Sequence, residues 1–213
     1  LVRIASHKNE IEIAIQAAKI LKKKGYFVAI NLMQVSEIND NFLSKILKKF
    51  ERKFLDCFYF ADSLGSLSVD KTKKICETIK KNWSGPFGIH AHDNAEIALH
   101  NTIISLNNGA SYVDSTVLGM GRGPGNVKTE LLCSYLNFTK LKKNNLIFLT
   151  DIVDNYFSKL KKKYMWGTNL YYYLSSKHRI HPTYIQNMLS DERYEDNEMI
   201  LAIDNLKKQK CKL

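Results

Sequence analysis

Five times in its first 117 residues the chain repeats one pattern, a short apolar run followed by a longer amphipathic stretch. The runs are LVRIAS (1–6), YFVAINLM (26–33), CFYFADS (57–63), FGIHAH (87–92) and YVDSTV (112–117), and their starts lie 25 to 31 residues apart. Between them, segments near 9–23, 40–54, 69–82 and 95–107 place apolar residues at helical spacing, as Ile11, Ile15 and Ala18 do in the first. Strand and helix alternating at this period predict consecutive βα units, because parallel strands need a crossover to connect them. Gly25 and Gly109 fall just past expected helix ends, where a left-handed cap favours glycine.

Polar residues collect at the C-terminal tips of these runs: His7, Gln34, Asp62 with Ser63, His90 with His92, and Asp114 with Ser115. An open doubly wound sheet gathers ligands only at its switch point, whereas a (β/α)8 TIM barrel presents every strand tip to one site. The pattern therefore predicts an α/β TIM barrel, represented here by its last five βα units. The three missing strands are expected before Leu1, which is not a methionine and enters a strand directly. After Asn126 the periodicity becomes helical, so a barrel part over 1–138 and a helical C-terminal domain over 139–213 are expected. Within the latter, residues 165–191 read as a helix, a turn at His181-Pro182 and a second helix, with Trp166 and Tyr171 to Tyr173 as core.

Composition removes several classes of function. With 45% hydrophobic and 25% charged residues the chain is an ordinary globular protein. No stretch reaches the roughly 20 apolar residues a membrane-spanning helix needs, and the early polar residues of LVRIASHKNE are not expected to form a signal sequence. The net charge is +11, but the lysines sit in clusters such as LKKKG (21–25), KTKK (71–74), KLKKN (140–144) and KLKKKY (159–164) without arginine or aromatic interleaving, apart from the final tyrosine. They read as solvated faces, and no nucleic-acid partner is expected. Cys57, Cys76, Cys133 and Cys211 are scattered, as in a cytoplasmic protein with reduced thiols.

Two stretches carry chemistry. In GIHAHDN (88–94), His90 and His92 are two apart in a strand-like run, so both imidazoles point to one side and can reach one ion or fill one core. In LGMGRGPGN (118–126), Gly119, Gly121, Gly123 and Gly125 alternate, which allows a ligand close approach. The spacing is not that of a dinucleotide fingerprint, and the loop follows the last strand rather than the first.

The segment from Gly88 to Leu132 resembles the metal-binding half of the HMG-CoA-lyase-like, or DRE-TIM, metallolyase superfamily, and its pattern is closest to that of the 4-hydroxy-2-oxovalerate aldolases. VRIASHKNEIEIAI is similar to those aldolases' fourth-strand motif, with His7 in step, and YFADSLGSL resembles their D-S-x-G segment. The resemblance implies that His90 and His92 ligate a divalent metal, Mn²⁺ or Mg²⁺, with Asn126 as a further ligand. It implies a substrate loop at Gly119, Gly121, Gly123 and Gly125, and catalytic roles for His7, Asp62 and Ser63. The family's ligating aspartate and catalytic arginine have no counterpart after Leu1. The implied activity is aldol cleavage or formation of a C–C bond beside a 2-oxo acid such as pyruvate. An aldehyde dehydrogenase, or a second copy of the chain, is the implied partner of the C-terminal domain. Two alternatives stay open: an acyl-CoA condensing enzyme of the isopropylmalate synthase type, and a barrel without chemistry that serves as a binding module. His100 is expected on the surface, and Asp114 is expected to hold the last loop.

Overall fold

The computed structural model describes residues 1–140, 145–191 and 193–210. Residues 141–144 of the 140–144 lysine cluster and Cys211 lie outside the described residues. The strands β1 (Val2–Ser6), β2 (Val28–Leu32), β3 (Cys57–Asp62), β4 (Phe87–Ala91) and β5 (Tyr112–Val113) form one sheet in that order, every neighbouring pair parallel. They alternate with α1 (Ile11–Lys23), α2 (Asp40–Leu47), α3 (Val69–Asn82) and α4 (Ala98–Asn107). A sheet that adds each strand on the same side, through right-handed crossovers, keeps all its helices on one face; this is barrel winding.

Local chemistry explains the element ends. The Asn39 side chain accepts from Phe42 N (2.8 Å) to start α2, and the Ser68 hydroxyl accepts from Lys71 N (3.2 Å) to start α3. Gly25 and Gly109 take positive φ (82° and 98°) just past their helices, as expected. Two elements are shorter than the periodicity predicts. The helix expected over 40–54 ends at Leu47, and the chain turns so that the Asp56 carboxylate receives Val28 N and Lys22 Nζ, each at 2.8 Å. The strand expected over 112–117 stops at Val113, because Thr116 pairs instead with Lys128 and its N–H donates to Val127 O (2.9 Å).

The chain divides into two compact units, residues 1–63, 67–91 and 100–114 in the first, and 64–66, 92–99 and 115–213 in the second. The first unit holds the sheet. One face of that sheet is apolar: Ile30 pairs with Phe58, Phe58 with Phe87 and Phe60 with Ile89 in register, and all five are buried. Ile30 shares a small cavity with Ile15 and Ala18 of α1, and the Phe58 ring lies 5.6 Å from that of Phe50, so this face carries the helices. Burying each such side chain contributes about 1.5–3 kcal/mol.

The second unit is helical: α5 (Thr129–Phe138), α6 (Leu146–Ile152), a π-turn at Val153–Phe157, α7 (Ser158–Tyr164), α8 (Leu170–Lys177), α9 (Pro182–Leu189) and α10 (Asp196–Lys210). Since α5 falls in this unit, the compact units divide the chain elsewhere than at residue 138. Its core joins Tyr172, Ile180, Ile185, Met188, Met199 and Ile203. Trp166 and Tyr172 are buried as expected, whereas Tyr173 is exposed. His181 caps α9, with Pro182 in the first turn where its missing N–H costs nothing. Among the described residues no helix is long and apolar enough to cross a membrane.

Candidate functional site

The second face of the sheet is built differently. Register places Arg3 beside Ala29, Asn31 beside Tyr59, Tyr59 beside Gly88, and Ala61 beside His90. Asp114 follows the Ile89–Val113 pair and so lies level with His90. Gly88 is required here: a Cβ would stand 2.6 Å from the Tyr59 ring and 2.9 Å from Tyr112 O. The Tyr59 ring occupies that space, and the Arg3 guanidinium lies over it, 4.6 Å from its centroid. Arg3 Nη1 then donates to Asp114 Oδ2 (2.6 Å), and the same oxygen meets His90 Nδ1 at 2.8 Å. In a flat sheet β1 and β5 would stand about 19 Å apart, more than these side chains bridge, so the contact reports a strongly curled sheet.

The electrostatics of this face follow from that cluster. Burial pushes the Asp114 carboxyl up, but the hydrogen bond from His90 and the charge and hydrogen bond of Arg3 outweigh it and hold it below the usual range. The Tyr59 phenol is pushed up to about 12, first by burial and then by the Asp114 charge. Asn31 is buried on the same face, and its Oδ1 has no hydrogen-bond partner among the described residues.

In the second unit, His92 is half-buried and forms an antiparallel bridge with Asn126, while Asp93 N donates to Gly125 O (3.0 Å). The glycine loop folds back on itself, with Asn126 N donating to Gly119 O (3.0 Å). At Gly121 a Cβ would meet Asn126 Nδ2 at 2.4 Å, and at Gly125, with φ +80°, it would meet Gly119 O at 2.3 Å. Side chains at these two positions would therefore break the turn. Asn126 Nδ2 donates to Met120 O (3.0 Å), while its Oδ1 is buried without a hydrogen-bond partner among the described residues. Asn126 lines a cavity of about 670 Å³ together with Asp93, Lys128, Lys161 and Trp166. Trp166 Nε1 donates to Leu118 O (3.0 Å) and Gly167 N to Gly123 O (2.9 Å), so the loop is tied from two sides. Burial raises the Asp93 carboxyl, against the hydrogen bond it accepts from Ala98 N.

The remaining candidates have structural partners. His7 is exposed at the tip of β1, where its backbone N–H donates to Glu10 (3.2 Å). Asp62 is buried in step with Ala91, on the face opposite His90, and its Oδ2 accepts from Leu67 N (3.0 Å). Ser63 Oγ accepts from Gln34 N (3.0 Å), fixing Gln34 in a left-handed conformation. His100 is exposed, as expected. Among the described residues no three His, Cys, Asp or Glu side chains gather to hold an ion. Sequence reasoning missed Arg3 altogether and read Asp114 as a loop brace. The available signals were a lone arginine inside an apolar strand and an acid two residues past Tyr112.

The sequence pattern of the HMGL-like family matches residues 3–154. A 4-hydroxy-2-oxovalerate aldolase of Carboxydothermus hydrogenoformans is 37% identical over 154 residues, covering 72% of this chain and 45% of the relative. The chain thus spans less than half the length of that relative. The crystal structure of the N-terminal domain of a Bacteroides vulgatus protein with an aldolase name superposes with a TM-score of 0.81 at 35% identity, over 94% of this chain and 66% of that one. The Bacillus subtilis HMG-CoA lyase structure matches at a TM-score of 0.66 and 16% identity, over 78% and 63% of the two chains, a likeness of fold.

Proposed function

The chain belongs to the HMGL-like family, and on that premise we propose that it forms part of a divalent-metal-dependent aldolase or lyase acting on the C–C bond beside a 2-oxo acid. The observation that carries the reading is Asn126 Oδ1, a buried oxygen without a hydrogen-bond partner in the glycine loop that bridges His92. Buried polar atoms are rarely left unpaired without a use. A hard oxygen together with imidazole nitrogens suits Mn²⁺ or Mg²⁺. His90 and His92, two apart on one run, and Asn126 would hold the ion; a bound ion supplies Lewis acidity toward the carbonyl and carboxylate of the 2-oxo acid.

The chain's own residues have definable tasks in this reading. The loop at Gly119, Gly121, Gly123 and Gly125 lets the backbone approach a small substrate. Asp62 and Ser63 hold the turn after β3 and the backbone at Gln34. His7, exposed at a strand tip, would carry a proton to or from solvent. An aldehyde-consuming dehydrogenase, or a second copy, docking on the helical unit belongs to the same proposal.

The test is deuterium exchange at the pyruvate methyl group, followed by NMR with the full-length parent protein plus Mn²⁺, with chelator, and as His90→Ala. Metal-dependent exchange lost in the variant is the expected result. Bound Mn²⁺ with no exchange would overturn the pyruvate chemistry, and no Mn²⁺ binding would overturn the metal site.

A further inference from the structure

We infer that Arg3 and Asp114 are positioning residues that fix His90 as its Nδ1–H tautomer, so that Nε2 is the lone-pair donor. The inference rests on the metal-ligand reading of His90 and adds what holds that ligand. Its basis is geometric. One carboxylate oxygen, Asp114 Oδ2, lies 2.6 Å from Arg3 Nη1 and 2.8 Å from His90 Nδ1. An ionised carboxylate only accepts hydrogen bonds, so the imidazole nitrogen facing it must carry the proton. In the neutral ring the lone pair then belongs to Nε2.

Arg3 contributes more than a charge. Its guanidinium is stacked on Tyr59, and that ring is seated by the space at Gly88. A planar, stacked donor on one side and an imidazole on the other hold Oδ2 between two fixed points. The part of Tyr59 is the platform under the guanidinium. A carboxylate behind a ligating histidine is the usual way proteins set ring orientation and ligand basicity, and losing it weakens metal binding about 10–100-fold. Here the carboxylate has its own support in Arg3, a residue on the far strand of the same sheet.

The decisive measurement is the ¹⁵N spectrum of histidine-labelled, metal-free full-length protein on the alkaline side of the imidazole range, with the His90 signals identified by difference from His90→Gln. A pyrrole-type Nδ1 and a pyridine-type Nε2 are expected. Asp114→Ala should shift His90 toward the Nε2–H form that free imidazole favours. Asp114→Asn should keep the native tautomer, because its one carbonyl oxygen can sit where Oδ2 now accepts both donors. Arg3→Met should keep the tautomer but weaken Mn²⁺ binding, read by EPR, by a few-fold, with Arg3→Lys recovering part of the loss.

An Nε2–H ring in the wild-type protein, or an unchanged tautomer in Asp114→Ala, would overturn the inference. Unchanged Mn²⁺ affinity in Arg3→Met would remove Arg3 from it. If Asp114→Ala fails to fold, the wild-type tautomer and the two Arg3 variants still decide the matter. Full-length wild type that binds no Mn²⁺ but shows the Nδ1–H tautomer would sink the metal reading and leave the positioning intact, so the two failures are distinguishable.

Discussion

The two faces of one five-stranded sheet differ in everything but their backbone. On one face Ile30, Leu32, Phe58, Phe60 and Ile89 are fully buried under helices. On the other, one position out of phase, Arg3, Asn31, Tyr59, His90 and Asp114 form a partly open polar surface in which Asp114 joins Arg3 to His90. Alternation thus separates stability from chemistry along the same strands. A βα unit can change its reactive face without touching its core, and the reverse.

That separation can be broken, and the largest break should come from the apolar face. Phe60→Ala removes a completely buried ring from the central strand and is expected to cost about 3–5 kcal/mol by chemical denaturation. A loss under about 1 kcal/mol would mean that the helices do not depend on this face. Gly88→Ala tests the polar face by overpacking. Its Cβ collides with Tyr59 and Tyr112 O, so about 1–3 kcal/mol should be lost together with the native seat of Arg3. Full stability in Gly88→Ala would show that Tyr59 has another place to go.

Smaller effects sharpen the contrast. Just before the central strand, burial pushes the Asp56 carboxyl up, but hydrogen bonds from Lys22 and Val28 N outweigh this and hold it below its usual value. A depressed carboxyl stabilises the fold above the ordinary carboxylate range, and that share disappears as pH falls through the lower folded value. Asp56→Asn should therefore cost about 1 kcal/mol near neutral pH and converge with wild type in acid, as thermal melts across pH would show. His90→Ala should be the mildest, about 1 kcal/mol or less, since it leaves the Arg3–Asp114 pair in place. A large destabilisation there would make His90 a core residue after all.

Much of this was legible from residue order. The five apolar runs, the capping glycines at 25 and 109, the helical character after Asn126 and the H-x-H pair all rest on patterns a few residues long. Local sterics and periodic burial act over that range, so a sequence displays them directly. The family relationship was legible for the same reason, because its motifs are contiguous.

Other features depended on which segment won a competition between segments. The fifth strand is two residues long because Thr116 found partners at Val127 and Lys128. The second helix ends early because Asp56 is drawn to Val28 N and Lys22. Asp62, a candidate for catalysis by its position in a motif, is turned to the opposite face from His90 and holds Leu67. Arg3 and Asp114 are separated by 111 positions, and no local rule links them. By itself the sequence determined the elements, their order and the residue types at the strand tips. Only the tertiary structure decided which polar side chains meet, because register and curl set those distances, and neither is encoded within a single strand.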